Sequence, residues 1–62
     1  MVTTAIYRPG DVVPTSGIYN VVDAWGRYLG RQETCVEGHR FPPVKRPQEY
    51  GFALFRATIH RY

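Results

Sequence analysis

The sequence predicts an all-β protein, a single domain over residues 1–62 built from four or five short strands. Three observations predict it. The stretch Ser16-Gly17-Ile18-Tyr19-Asn20-Val21-Val22 is rich in β-branched and aromatic residues and is launched from a Ser-Gly turn. Two later segments, around Gln32 to Val36 and from Tyr50 to Ala57, are suited to pair with it. Glycine and proline punctuate most of the rest. Before Phe52 no stretch free of both exceeds Ile18 to Trp25, too short for an ordinary helix of about three turns.

Taken in order, residues 1–6 are either frayed or an edge strand. Tyr7-Arg8-Pro9-Gly10-Asp11 reads as a turn, with proline presetting φ and glycine supplying the positive φ of a type II turn. Val12 to Ser16 is extended, and Pro14 confines it to an edge. The first main strand runs from Gly17 to Ala24. Asp23-Ala24-Trp25-Gly26-Arg27 is a hairpin loop in which Gly26 takes the left-handed conformation. The return strand spans Arg27 to Val36, and Gly30 within it implies a bulge or a bend. Gly38 to Pro43 makes a corner, stiffened by Pro42 and Pro43. Val44 to Glu49 is a polar loop, and Tyr50 to Ala57 is the third main strand. Residues 52–62 could instead hold a short helix, although the alternation favours a strand. In that strand Phe52 and Leu54 share one side, and Phe55, Ala57 and Ile59 the other. Phe52 and Leu54 are expected to be buried with Ile18 or Tyr19 against the Phe41-Pro42 corner.

A chain of 62 residues buries little surface, and small scaffolds usually add a disulfide, a metal or a partner. Cys35 is the single cysteine, which excludes an internal disulfide and a cysteine-rich zinc site. A packed aromatic core, self-association, or both remain. Trp25, five Tyr and three Phe supply such a core. The strands are apolar on both faces, so the second face needs the flanks of the chain or another subunit. A homo-oligomer is therefore expected. No apolar run approaches the roughly 20 residues of a membrane helix, and the first residues lack the pattern of a signal peptide. With a lone cysteine, the expectation is a soluble, cytoplasmic protein without membrane contact.

Gly10-Asp11, Pro14, Ser16-Gly17-Ile18-Tyr19, Thr34, Gly38, Phe41-Pro42-Pro43 and Phe52-x-Leu54 together resemble a pattern in short bacterial proteins of the YjzC-like group. The match covers roughly Pro9 to Leu54, and its motifs are turns and core positions. The resemblance implies a compact antiparallel β-meander similar to an SH3-like sheet, with no established biochemical role. Many relatives carry a Cys-x-x-Cys pair after the Phe-Pro corner. Here that stretch reads Val44-Lys45-Arg46-Pro47, so no metal site carries over. Relatives also tend to have a His-Arg-rich hairpin after the first strand. In this chain Ala24 to Arg31 is a residue longer and more aromatic, which opens the way to a different function there.

Candidate chemistry is sparse. Cys35 and His39 are the one pair suggestive of a nucleophile and base, but no orienting group or oxyanion donor accompanies them. Cys35 reads more naturally as a small buried residue. His39 and His60, with Asp11, Glu33, Glu37 or Glu49, show no zinc-ligand spacing. The glycines follow no phosphate-loop pattern. No enzyme activity, cofactor or metal is expected. The candidate binding surface is Trp25, Arg27, Tyr28 and Arg31. Interleaved aromatic and Arg residues anchor protein interfaces, and they also stack bases and hold phosphates. They could equally fold back over the core. The formal charge of +3, carried by seven Arg and Lys45 among five acids, is a weak field for a polyanion. A protein-interaction module that self-associates is the leading expectation, and a nucleic-acid or nucleotide-phosphate binder the second.

Overall fold

The computed structural model describes residues 5–58, and within them the chain is all-β. Three strands, β1 (Gly17–Val22), β2 (Tyr28–Cys35) and β3 (Gly51–Ala57), form one open antiparallel sheet in the order β2-β1-β3. The central strand is the β-branched run, the segment with the strongest strand propensity. The strand reading of Gly51–Ala57 holds over the helical one. The expected side of Ile59, the ligand candidate His60 and most of the N-terminal stretch lie outside the described residues.

Both ladders are interrupted where the sequence makes room for it. Against β1, β2 runs in register from Gly17–Cys35 to Asn20–Gln32, then shifts before Val22–Tyr28. Gly30 sits in that shift with φ +86°, a conformation that costs glycine nothing, and the expected bulge is there. Against β3, Tyr19 faces Leu54 but Ile18 faces Arg56, leaving Phe55 as the extra residue of a second bulge.

A meander of four or five strands is expected from sequence; among the described residues three form, and with β1 between β2 and β3 the order is not that of a meander. The remaining extended segments make isolated bridges, Tyr7 to Phe52 and Val12 to Arg40. The physical reason is proline and glycine. Pro9-Gly10 turns the chain with Asp11 N–H donating to Arg8 C=O at 3.0 Å, and Pro14 removes a donor one residue after Val13. Val13 and Gly38–His39 still exchange hydrogen bonds of 2.7 and 2.9 Å, so the 36–41 corner is tied to the 10–13 segment.

These tied segments cover one face of the sheet. Val13, Tyr19, Val21, Cys35, Phe41 and Phe52 form the core, with Tyr7 against it. Phe41 is its hub. It stacks on Phe52 (centroids 5.1 Å, 13°) and on Tyr7 (5.4 Å, 12°), and meets Tyr19 edge-on (4.9 Å, 81°). The Tyr19 hydroxyl donates to the Thr15 carbonyl at 2.6 Å, which satisfies its polar end. Phe52 and Tyr19 are buried against the Phe41 corner as expected. Leu54 is not: it shares the Phe52 face but is 39% exposed. The N-terminal segment pairs with the outer edge of β3 at Phe52, and beyond that bridge Leu54 to Ala57 are exposed.

The opposite face is less apolar than strand alternation implies. Val22 and Ala53 are buried there, and Ile18 is half-buried. Asn20 and Gln32 occupy its middle, joined by a 2.8 Å side-chain hydrogen bond.

Candidate binding site

The loop between β1 and β2 is a three-residue hairpin closed by one side chain. Gly26 N–H donates to Asp23 C=O at 3.0 Å, and Asp23 N–H donates to Arg27 C=O at 3.1 Å. Gly26 has φ +83°, so the loop is a tight turn followed by a left-handed residue. The Asp23 carboxylate fills its interior. Oδ1 accepts from the Trp25 and Arg27 backbone N–H groups, each at 2.9 Å, and Oδ2 accepts from Arg27 Nε at 3.2 Å. The Arg27 backbone N–H, the Trp25 N–H and the Arg27 guanidinium together hold the Asp23 carboxyl below its ordinary range, against the opposing effect of burial.

This scaffold presents aromatic surface to solvent. Trp25 is 81% exposed at the tip, Tyr28 is exposed at the start of β2, and the Arg27 side chain is exposed between them. Neither Trp25 nor Tyr28 folds back over the core.

Arg31, the fourth candidate, has a different setting. Its Nε and Nη2 donate to the two carboxylate oxygens of Glu49 at 3.1 and 2.8 Å, and its Nη1 to Glu33. The Glu49 side chain is 1% exposed and also accepts the Lys45 N–H at 2.8 Å. The Arg31 guanidinium, aided by the Lys45 N–H, pulls the Glu49 pKa down to about 2. Arg31 is therefore a cross-brace between β2 and the 44–49 loop, apart from the exposed trio. Closeness in sequence grouped it with the hairpin residues. It could not show that a glutamate 18 residues later reaches back to it.

Other cations are also engaged within the chain. Arg8 donates to Tyr50 C=O at 2.9 Å with its guanidinium 3.9 Å from the Tyr50 ring centre, and Arg40 donates to Gly10 C=O. Cys35 belongs to the core, where burial raises its thiol pKa, and His39 is exposed in the following turn. Among the described residues no three His, Cys, Asp or Glu side chains group as metal ligands. Comparison with protein-family models, with curated proteins and with solved structures finds no match.

Proposed function

We propose that this chain is a small non-enzymatic binding module of the cytoplasm that acts through protein–protein contact and self-association. The observation that carries this reading is the exposed Trp25 on a loop locked by Asp23. Covering most of an indole removes roughly 150 Å² of apolar surface from water, worth on the order of 4 kcal/mol at about 25 cal/mol per Å². The loop backbone that carries the ring is already fixed, so docking orders the side chain and not the loop, and more of that gain is realised as affinity. Tyr28 and Arg27 flank it as the residue types that dominate interface energies. An SH3-like arrangement and the YjzC-like resemblance, both part of this reading, fit such a module, and the Tyr7 bridge to Phe52 adds one paired residue at the β3 edge of the sheet.

The second reading is a nucleic-acid or nucleotide-phosphate binder, favoured by Arg27 between two exposed rings. The engagement of Arg31 by two glutamates weighs against it, because a phosphate would have to displace them. Trp25→Ala and Arg27→Ala separate the readings. For a protein interface, Trp25→Ala weakens assembly or partner capture with little dependence on salt. Tight single-stranded DNA or RNA binding that falls steeply with salt, and loses about 1–3 kcal/mol in Trp25→Ala, would establish the second reading instead.

A further inference from the structure

We infer that the outer edge of β2 is a self-complementary surface on which a second copy of this chain adds its own β2, in antiparallel orientation, about a two-fold axis at Gln32. This rests on the self-association reading and names the surface that performs it.

The first observation is the direction of the peptide groups. β2 lies at one end of the sheet, hydrogen-bonded to β1 alone among the described residues. The Ser16 and Val22 carbonyls accept from Thr58 and Tyr50 on the β3 side, whereas Asp23 N–H reaches Arg27 on the β2 side. Peptide groups alternate along a strand, so the odd residues of β1 bond to β2. Gly17–Cys35 and Tyr19–Glu33 are then the hydrogen-bonded pairs, while Ile18–Thr34 and Asn20–Gln32 are the non-hydrogen-bonded pairs. Gln32 and Thr34 consequently direct their N–H and C=O groups away from β1. The stretch from Gln32 to Cys35 is regular against β1 and carries neither proline nor lysine, the residues that commonly blunt an edge.

The second observation is what a two-fold at Gln32 brings together. Gln32 exchanges both backbone hydrogen bonds with its symmetry mate, and Thr34 pairs with Gly30. Opposite Gly30 a side chain has open space, with no atom within 4 Å of its Cβ position. The intervening pairs are the closer, non-hydrogen-bonded ones. They set Arg31 opposite Glu33 twice, with the charges already arranged as an Arg31–Glu33 pair within each chain. Past the end of β2, where the Val36 carbonyl already accepts from His39 N–H at 3.0 Å, the exposed Tyr28 and Val36 side chains lie alongside each other. Leu29 meets Cys35. Opposite charges face each other beside the axis, which is the pattern of favourable cross-strand pairing, and the bulge at Gly30 marks where the regular outer edge of residues 32–35 ends. The product is a continuous six-stranded sheet, with an outer edge removed from each copy.

The test uses light scattering and sedimentation on the full chain, with backbone amide exchange by NMR. The wild type is expected at twice the chain mass, with the Gln32 and Thr34 amides protected. Gln32→Pro removes an outward donor that β1 does not use, and should yield a folded monomer. Total synthesis with an N-methylated Gln32 amide repeats the test without altering the side chain, should the proline prevent folding. Glu33→Arg sets like charges opposite each other and should weaken the dimer several-fold. A wild-type monomer at millimolar concentration overturns both this inference and the self-association part of the proposed function. A dimer that survives the Gln32 changes but is lost in Trp25→Ala overturns the edge pairing and leaves the hairpin-tip reading standing. Protected Gln32 and Thr34 amides in a monomer would put another segment of the same chain on the edge, and would also overturn it.

Discussion

The guanidinium of Arg31 and the carboxylate of Glu49 meet fork to fork, Nε to Oε2 and Nη2 to Oε1, across the gap between β2 and the loop entering β3. Glu49 is held near pKa 2, below the 4.5 of a free glutamate. Its folded pKa is depressed, so its contribution to stability is complete above about 4.5 and is lost as pH falls through about 2. Thermal melts between neutral pH and pH 2 should show Tm falling through that window. In Glu49→Gln the neutral-pH Tm should be lower and the decline shallower; parallel curves would show that the pair does not link protons to folding. Asp23, also depressed, contributes to the decline in both proteins, so the difference between them isolates Glu49.

Phe52 and Leu54 occupy the same face of β3 but have opposite surroundings. Phe52→Ala should cost on the order of 3–5 kcal/mol, close to the whole stability of so small a domain. Leu54→Ala should cost about 1 kcal/mol or less, since that side chain is largely uncovered. Urea titrations of the two variants check this, and equal losses would contradict the asymmetry of cover.

Gly51 has no space for a side chain. A Cβ there would lie 2.4 Å from the Tyr7 carbonyl oxygen and 2.9 Å from Ile6 Cγ2. Gly51→Ala should therefore push the N-terminal segment off β3, breaking the two 2.7 Å hydrogen bonds between Tyr7 and Phe52. Loss of amide protection at Tyr7 with β1–β2 protection retained is the expected NMR signature. An unchanged spectrum at Tyr7 would show that the added methyl is accommodated with the segment still paired to Phe52.

Asp23 holds the hairpin tip by three hydrogen bonds. Asp23→Ala leaves the Trp25 and Arg27 amides without that acceptor and should speed their hydrogen exchange. The same variant should weaken any binding by Trp25 that depends on a fixed loop backbone, even though it alters no exposed aromatic residue. Binding equal to wild type with fast-exchanging loop amides would show that the ring docks without a fixed loop.

Local chemistry was legible in the residues. Pro9-Gly10 and Gly26 announce their turns, Gly30 its bulge, and the β-branched run its central strand, because each depends on φ/ψ preferences that a residue carries wherever it sits. Which side chains are covered was not legible. Phe52 and Leu54 read alike in the strand pattern, and they differ because Phe41 stacks on Phe52 and Tyr7 bridges to it, whereas Leu54 lies beyond that contact. Arg31 reads like Arg27, and it differs because the 44–49 loop folds back to place Glu49 against it. Strand number fell between these cases: the extended segments were foreseeable, but how far each pairs depends on where the turns aim it. Burial and ion pairing depend on distances between residues far apart in the chain, and those distances exist only once the segments have packed.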